Sequence, residues 1–171
     1  MTEQQPFEVE HRYDGFETRV YPAYVLVDVE VDGDFFEAGN RGFRPLLRYI
    51  GGGNETSRQI PMTAPVIQRQ QKPGRHTVSF VLPAGMDAAS APLPTDARLR
   101  TRVVASHRVA ARRFSGGSSE PRFLENAAEL VAAVGREGFE TVGTPYFARY
   151  DPPWKPGFLK HNEALIALGD R

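Results

Sequence analysis

The segment Ile60-Pro61-Met62-Thr63-Ala64-Pro65-Val66-Ile67 constrains the fold most, because it is apolar enough for burial yet carries two prolines. Proline fixes φ at about −65° and has no N–H, so neither position donates to a ladder and a central strand is disfavoured. The segment therefore reads as an edge or barrel-rim strand beside a cavity. The chain before it builds one half of a fold, and from Thr77 onward the plan repeats.

Upstream, Phe7 to Tyr13 and Phe16 to Tyr21 alternate apolar and polar side chains around Asp14-Gly15, which predicts a hairpin. Tyr24 to Val31 is rich in β-branched residues, with acids on one face from Asp28 onward, so it reads as a half-buried strand with a solvated side. Asp34 and Glu37 form a capping box ahead of Phe35, Phe36, Phe43, Leu46, Leu47 and Ile50, and Gly51-Gly52-Gly53 follows. A helix over 35–50 is predicted. Gly39 and Gly42 each weaken it by about 1 kcal/mol and Pro45 by about 3, so packing has to hold it.

Downstream, a polar loop at Gln68 to Arg75 precedes an alternating strand at His76 to Pro83. Gly85 to Asp96, rich in Ala, Ser and Pro, reads as a mobile connection between halves. Arg98 to Val104 and His107 to Phe114 read as strands around a tight turn at Ala105-Ser106. The loop Ser115-Gly116-Gly117-Ser118 leads to Ser119-Glu120-Pro121, which starts a helix whose apolar spacing runs from Phe123 to Val134, with a stop at Gly135. Pro145 to Tyr150 and Glu163 to Leu168 read as the last strands, joined by Asp151 to Gly157.

Tyr24 answers to His107, Phe35 to Pro121, Met62 to Tyr146 and Thr77 to Glu163, a weak repeat of about 85 positions. Two β-α-β-β units, over about 18–83 and 101–168, point to a single α+β domain spanning 1–171, with two helices packed on its sheets about a pseudo-twofold axis. The natural ligand site in such a fold is a cleft between the sheets, or between a sheet and its helix.

Lys plus Arg and Asp plus Glu both number 21, so no net field draws in nucleic acid or an anionic membrane, and neither is expected as a partner. Without cysteine there is no thiolate metal site and no thiol nucleophile. The polar N-terminus resembles no signal peptide, and no window approaches the roughly 18 apolar residues of a membrane span, so a cytoplasmic protein is expected.

Chemistry-bearing motifs are weak. Asp28 to Gly33 opens like a calcium loop but has Gly39 at the twelfth place, where a bidentate acid belongs. His11, His76, His107 and His161 lack zinc spacing, Gly116 to Glu120 lacks the closing glycine of a nucleophile elbow, and Gly51 to Asn54 lacks the Lys-Ser/Thr of a phosphate loop. No catalytic residue and no metal ligand is assigned. What stands out is a set of apolar and aromatic residues beside basic ones: Phe43, Leu47 and Met62 near Arg44 and Arg48, and Tyr146, Phe147, Tyr150 and Trp154 near Lys155. Together they suit a flat apolar ligand with carboxylates at its rim.

Four segments carry a family resemblance: Arg48 to Asn54, Ile60 to Val66, Phe114-Ser115-Gly116, and Tyr150 to Pro156 with Asn162-Glu163. On these the chain resembles the SOUL haem-binding proteins over nearly its full length. The resemblance implies a distorted barrel of two β-α-β-β repeats, akin to the effector-binding domains of multidrug-sensing regulators. It also implies haem or another tetrapyrrole as the ligand, bound without catalysis in a groove between the first helix and the loop joining the last two strands. By motif, Phe43, Leu47 and Arg48 fall on the helix side, Met62 completes the apolar wall, and Trp154 and Lys155 fall on the loop, with Arg48 and Lys155 pairing with propionates. Asn40 replaces a basic residue of some members, and Val20 stands where some have a proposed haem-ligating histidine, so no axial ligand carries over. Oligomeric state is left open. A hydrolase on the same fold would need an acid such as Glu37 or Glu163, with a raised pKa, beside a tyrosine.

Overall fold

Alternation and capping become eleven strands and two helices among residues 2–117, 119–152 and 154–169, which the computed structural model describes. In chain order come β1 (Glu3–Gln4), β2 (Glu8–Tyr13), β3 (Phe16–Tyr21), β4 (Tyr24–Asp32), α1 (Phe35–Ile50), β5 (Thr63–Ala64), β6 (Val66–Lys72) and β7 (Arg75–Val81). Then follow β8 (Leu99–Val104), β9 (His107–Phe114), α2 (Glu120–Arg136), β10 (Thr141–Arg149) and β11 (Asn162–Leu168). Ser118 and Pro153, which figured in the motifs above, lie outside the described residues. The chain forms two compact units, Met1–Gln5 with Ala23–Ala105 and Pro6–Pro22 with Ser106–Arg171.

In the first unit the antiparallel strand order is β6-β7-β4-β8, and the short β1 pairs in parallel with β5. Asp34 caps α1 as its position predicts, its carboxylate accepting the Glu37 N–H at 2.8 Å. The helix lies over β4 and β7 and buries Leu46 and Tyr49 in one cluster with Val25, Val27, Val29, Val78 and Phe80. Gly42 explains how so poor a helix former is held there: a Cβ on it would stand 2.7 Å from Val78. The missing side chain is thus what lets helix and sheet approach. At the other end, a Cβ on Gly53 would meet the Arg48 carbonyl at 2.7 Å, so this glycine is required where its N–H closes the helix on Arg48.

In the second unit the order is β2-β3-β9-β11-β10, again antiparallel. Ser119 caps α2, which packs Phe123, Leu130 and Val134 onto β9, β10 and β11; the Phe123 and Phe147 rings lie 4.9 Å apart. The predicted hairpin at Asp14-Gly15 is present as β2 and β3.

Several expectations are corrected. β2 and β8 each have one paired neighbour, so the strand order is open and not a closed barrel. The proline-rich segment is not one strand: Thr63–Ala64 forms β5 and Val66 opens β6, with Pro65, after a cis peptide, between them; Met62 lies outside any strand and so does not match Tyr146 on β10. Gln68 to Lys72 is strand rather than loop, since pairing with β7 and the Gln68 bond to the Phe35 carbonyl satisfy polar groups that looked solvated. β8 and β9 are not a hairpin across Ala105-Ser106, because β8 pairs with β4 and β9 with β3 and β11. The division between units falls there instead of within Gly85 to Asp96. Gly135 lies inside α2, which ends at Arg136, and β10 begins at Thr141 rather than Pro145.

Candidate functional site

Because α1 buries one face, its other face decides what it can bind. Phe36 is 67% and Leu47 41% exposed, and with Asn40 and Phe43 they follow a 4-3-4 spacing that places them on one stripe. Arg44 and Arg48 are exposed beside it. The stripe rises over about 16 Å from Phe36 to Leu47. Large apolar side chains kept in water next to guanidinium groups suit an apolar ligand with anionic substituents.

Phe43, Leu47 and Arg48 thus share one helix. Phe43 is only half exposed, its ring meeting Phe80 edge-on at 5.3 Å, and Met62 packs against the same core. These two are as much core as wall. Phe36 was not among the residues singled out from sequence; its signal was the same helical spacing, one turn earlier. Arg48 also faces Asp96, whose carboxyl is held at about 2 chiefly by hydrogen bonds from Arg98, with the Arg48 charge adding to them.

Trp154 and Lys155 belong to the second unit. Trp154 is 84% exposed, and the Lys155 ammonium is already paired with the Asp151 carboxylate at 2.8 Å. No histidine lies on α1. His76 is buried on β7 beside Gln68 and the edge of Phe35, and His161 stacks on Tyr150 at 4.1 Å. Among the described residues no group of three or more His, Cys, Asp or Glu is arranged to hold a metal ion.

A polar cluster that sequence reading did not assemble, although it named Glu163 as a candidate acid, lies on β3 and at the start of β11 of the second unit. Arg19, 3% exposed, donates to both oxygens of Glu163 at 2.8 and 2.6 Å, to the Tyr21 hydroxyl at 3.0 Å and to Glu17. His161 Nε2 stands 3.0 Å from Glu163. Burial would raise the Glu163 carboxyl, but hydrogen bonds from Arg19 and His161 outweigh it and hold the group at about 2. Burial pushes Tyr21 up to about 12 and Tyr150 further, the latter helped by the Glu163 charge. Glu163 is therefore an ionised, paired carboxylate rather than the raised-pKa acid a hydrolase would use, and Glu37 is an exposed partner of Arg41. Asp28, expected on a solvated face, is likewise buried and bound to Ser79 and Arg102.

The motif residues mostly support the fold. The buried Asn54 amide donates to the Tyr49 and Arg58 carbonyls and its oxygen accepts from Thr56 and the Arg58 N–H, closing the turn after α1. Tyr49 donates to the Pro92 carbonyl at 2.7 Å.

The profile described as SOUL heme-binding protein matches residues 2–167. Heme-binding protein 1 of Xenopus laevis is 31% identical over 157 residues, covering 86% of this chain and 80% of that protein. Among solved structures, the EcmrR C-terminal domain superposes with a TM-score of 0.70 at 10% identity, covering 91% of this chain and 98% of the other. A hydrolase from Listeria innocua superposes at 0.61, with 10% identity and 94% coverage of both chains. At such identity these structures show a shared fold alone.

Proposed function

The chain belongs to the SOUL heme-binding protein family, and from that premise we propose that it binds haem or a similar planar tetrapyrrole on the exposed face of α1, without catalysis. The observation that carries this reading is the exposure of Phe36 and Leu47 on one stripe of α1, with the half-buried Phe43 between them, beside Arg44 and Arg48. Rings and leucine cover the apolar macrocycle, and guanidinium groups pair with propionates at its rim. The donor set fits the organic part of the cofactor. It supplies no imidazole or thiolate on α1, so the iron receives no strong ligand from this helix. When bound, the haem supplies an iron centre; the residues named here bind and orient the macrocycle. The assignment of Met62, Trp154 and Lys155 to the ligand is kept as a separate proposal, tested residue by residue. Binding without catalysis is favoured by Glu163, the acid a hydrolytic reading would recruit, being ionised and paired.

Hemin titration tests the placement. Leu47→Asp and Phe36→Asp change exposed positions, so the fold is preserved while a charge meets the macrocycle, and affinity should fall by several kcal/mol. Phe43→Asp is less informative because it also damages the Phe80 contact. Arg48→Ala should cost no more than about 1 kcal/mol and lose its effect in salt. Unchanged affinity in folded Leu47→Asp and Phe36→Asp removes the site from α1, and loss of a ligated Soret band on replacing one histidine identifies an axial ligand elsewhere.

A further inference from the structure

We propose that residues 154–161 of the second unit are a peripheral anchor for an anionic lipid surface, with Trp154, Phe158 and Leu159 entering the headgroup region and Lys160 facing its charge. This goes beyond the tetrapyrrole reading: Phe158, Leu159 and Lys160 have no part in it, and Trp154 and Lys155 are shared only with the loop assignment kept separate from the α1 site. Trp154, Phe158 and Leu159 are 84%, 76% and 55% exposed, large apolar side chains gathered in one short loop.

Their exposure belongs to a tied structure. Asp151 accepts the His161 N–H at 2.5 Å and the Lys155 ammonium at 2.8 Å, while the Tyr150 N–H donates to the His161 carbonyl at 3.1 Å. The Leu159 and Lys160 N–H groups turn back on Pro156 and Gly157, and the Gly116 N–H donates to the Gly157 carbonyl at 2.9 Å. A Cβ on Gly157 would stand 3.3 Å from the Gly116 backbone, so a side chain there would have to push the two segments slightly apart. These bonds hold the exposed side chains on a fixed turn.

Charge decides the occupant. Asp151, the sole acid from 151 to 161, is balanced by Lys155, which leaves Lys160 as the loop's excess positive charge. Arg122 adds to it: its guanidinium donates to the Ser115 carbonyl instead of an acid and lies against Gly116. A chain of zero net charge therefore presents a locally basic, aromatic tip. Three side chains on a tip are small against the roughly 800 Å² per partner of a stable protein interface, whereas tryptophan and basic residues are what membrane–water interfaces favour. The expectation of no membrane partner rested on net charge and spanning segments, and both are properties that a single loop escapes.

Trp154 is the only tryptophan, so its emission reports on the loop directly. The full chain is mixed with phosphatidylcholine vesicles, with and without phosphatidylserine, and both emission and co-sedimentation are read. The expected result is a blue shift and sedimentation with the serine lipid, weakening as salt screens the basic side chains, and little of either with phosphatidylcholine alone. Phe158→Asp and Leu159→Asp should each lower partitioning by on the order of tenfold or more, with folding checked by circular dichroism. Should Phe158→Asp fail to fold, Leu159→Asp carries the comparison. Unshifted wild-type emission on phosphatidylserine vesicles overturns the proposal, as does equal partitioning onto both vesicle types, or wild-type partitioning by the folded aspartate variants.

Discussion

Replacing Glu163 by glutamine would leave the Arg19 guanidinium, 3% exposed, with only the partly exposed Glu17 as counter-ion. Breaking a buried pair from one side costs about 3–5 kcal/mol, because the remaining charge keeps its desolvation penalty. Glu163→Gln should therefore lower the urea midpoint strongly, while the double variant Arg19→Met with Glu163→Leu should recover most of the loss, since apolar replacement of both partners is often neutral. The same pair sets a pH dependence. Glu163 is held at about 2 in the fold against an ordinary 4.5, so its contribution is complete above the higher value and disappears as pH falls toward the lower. At about 1.4 kcal/mol per unit, this is on the order of 3 kcal/mol. Urea midpoints for Glu163→Gln and wild type that differ as much at pH 2 as at pH 7 would refute the assignment. None of this was legible in the sequence, because strand alternation assigns Arg19 to a solvated face, whereas Arg19 and Thr18, which alternation sends to opposite faces of β3, are both buried.

At the scale of elements, α1 was readable to the residue because its signals are local: an aspartate cap, an apolar stripe and a glycine stop. What the sequence could not disclose is why Gly42 sits in its middle, since the reason is Val78 on another strand. Gly42→Ala sets two effects against each other. Intrinsic propensity improves by about 1 kcal/mol, but the new methyl must displace Val78 from 2.7 Å, and overpacking of this kind costs about 1–3 kcal/mol. Net destabilisation is expected, relieved by Val78→Ala in the same chain; a rise in Tm for Gly42→Ala alone would show that helix and sheet are not in close contact. The elements misread from sequence share a different cause. β6 and the start of β10 look polar or irregular in isolation and become strands through their partners, β7 and β11. The Ala105-Ser106 turn failed as a hairpin for the same reason, since pairing with β4 and β3 outweighs proximity in the chain.

At the scale of the molecule, the two strand orders correspond: β6-β7-β4-β8 in one unit and β10-β11-β9-β3 within the other. The elements β4-α1-β6-β7 and β9-α2-β10-β11 follow the β-α-β-β order read from the sequence, yet each sheet takes its next strand from outside that run, β8 after the first and β3 before it. The order of elements was legible because helical and strand periods show in the sequence, but this exchange was not, since periodicity says nothing about which unit a strand joins. It has a consequence for fragments. Residues 106–171 hold β9, α2, β10 and β11 but lack β3, and with it Phe16 of the core and Arg19, the partner of buried Glu163. That fragment carries an unpaired β9 edge and an uncompensated carboxylate, and it should not unfold cooperatively on its own. Adding a synthetic peptide of residues 6–22 should restore a sigmoidal urea transition and the near-ultraviolet signal of the packed aromatic side chains, whereas the same peptide with Arg19→Ala should do so far less well. A cooperative transition in residues 106–171 without the peptide would show that β3 is an accessory to the second unit rather than part of its core.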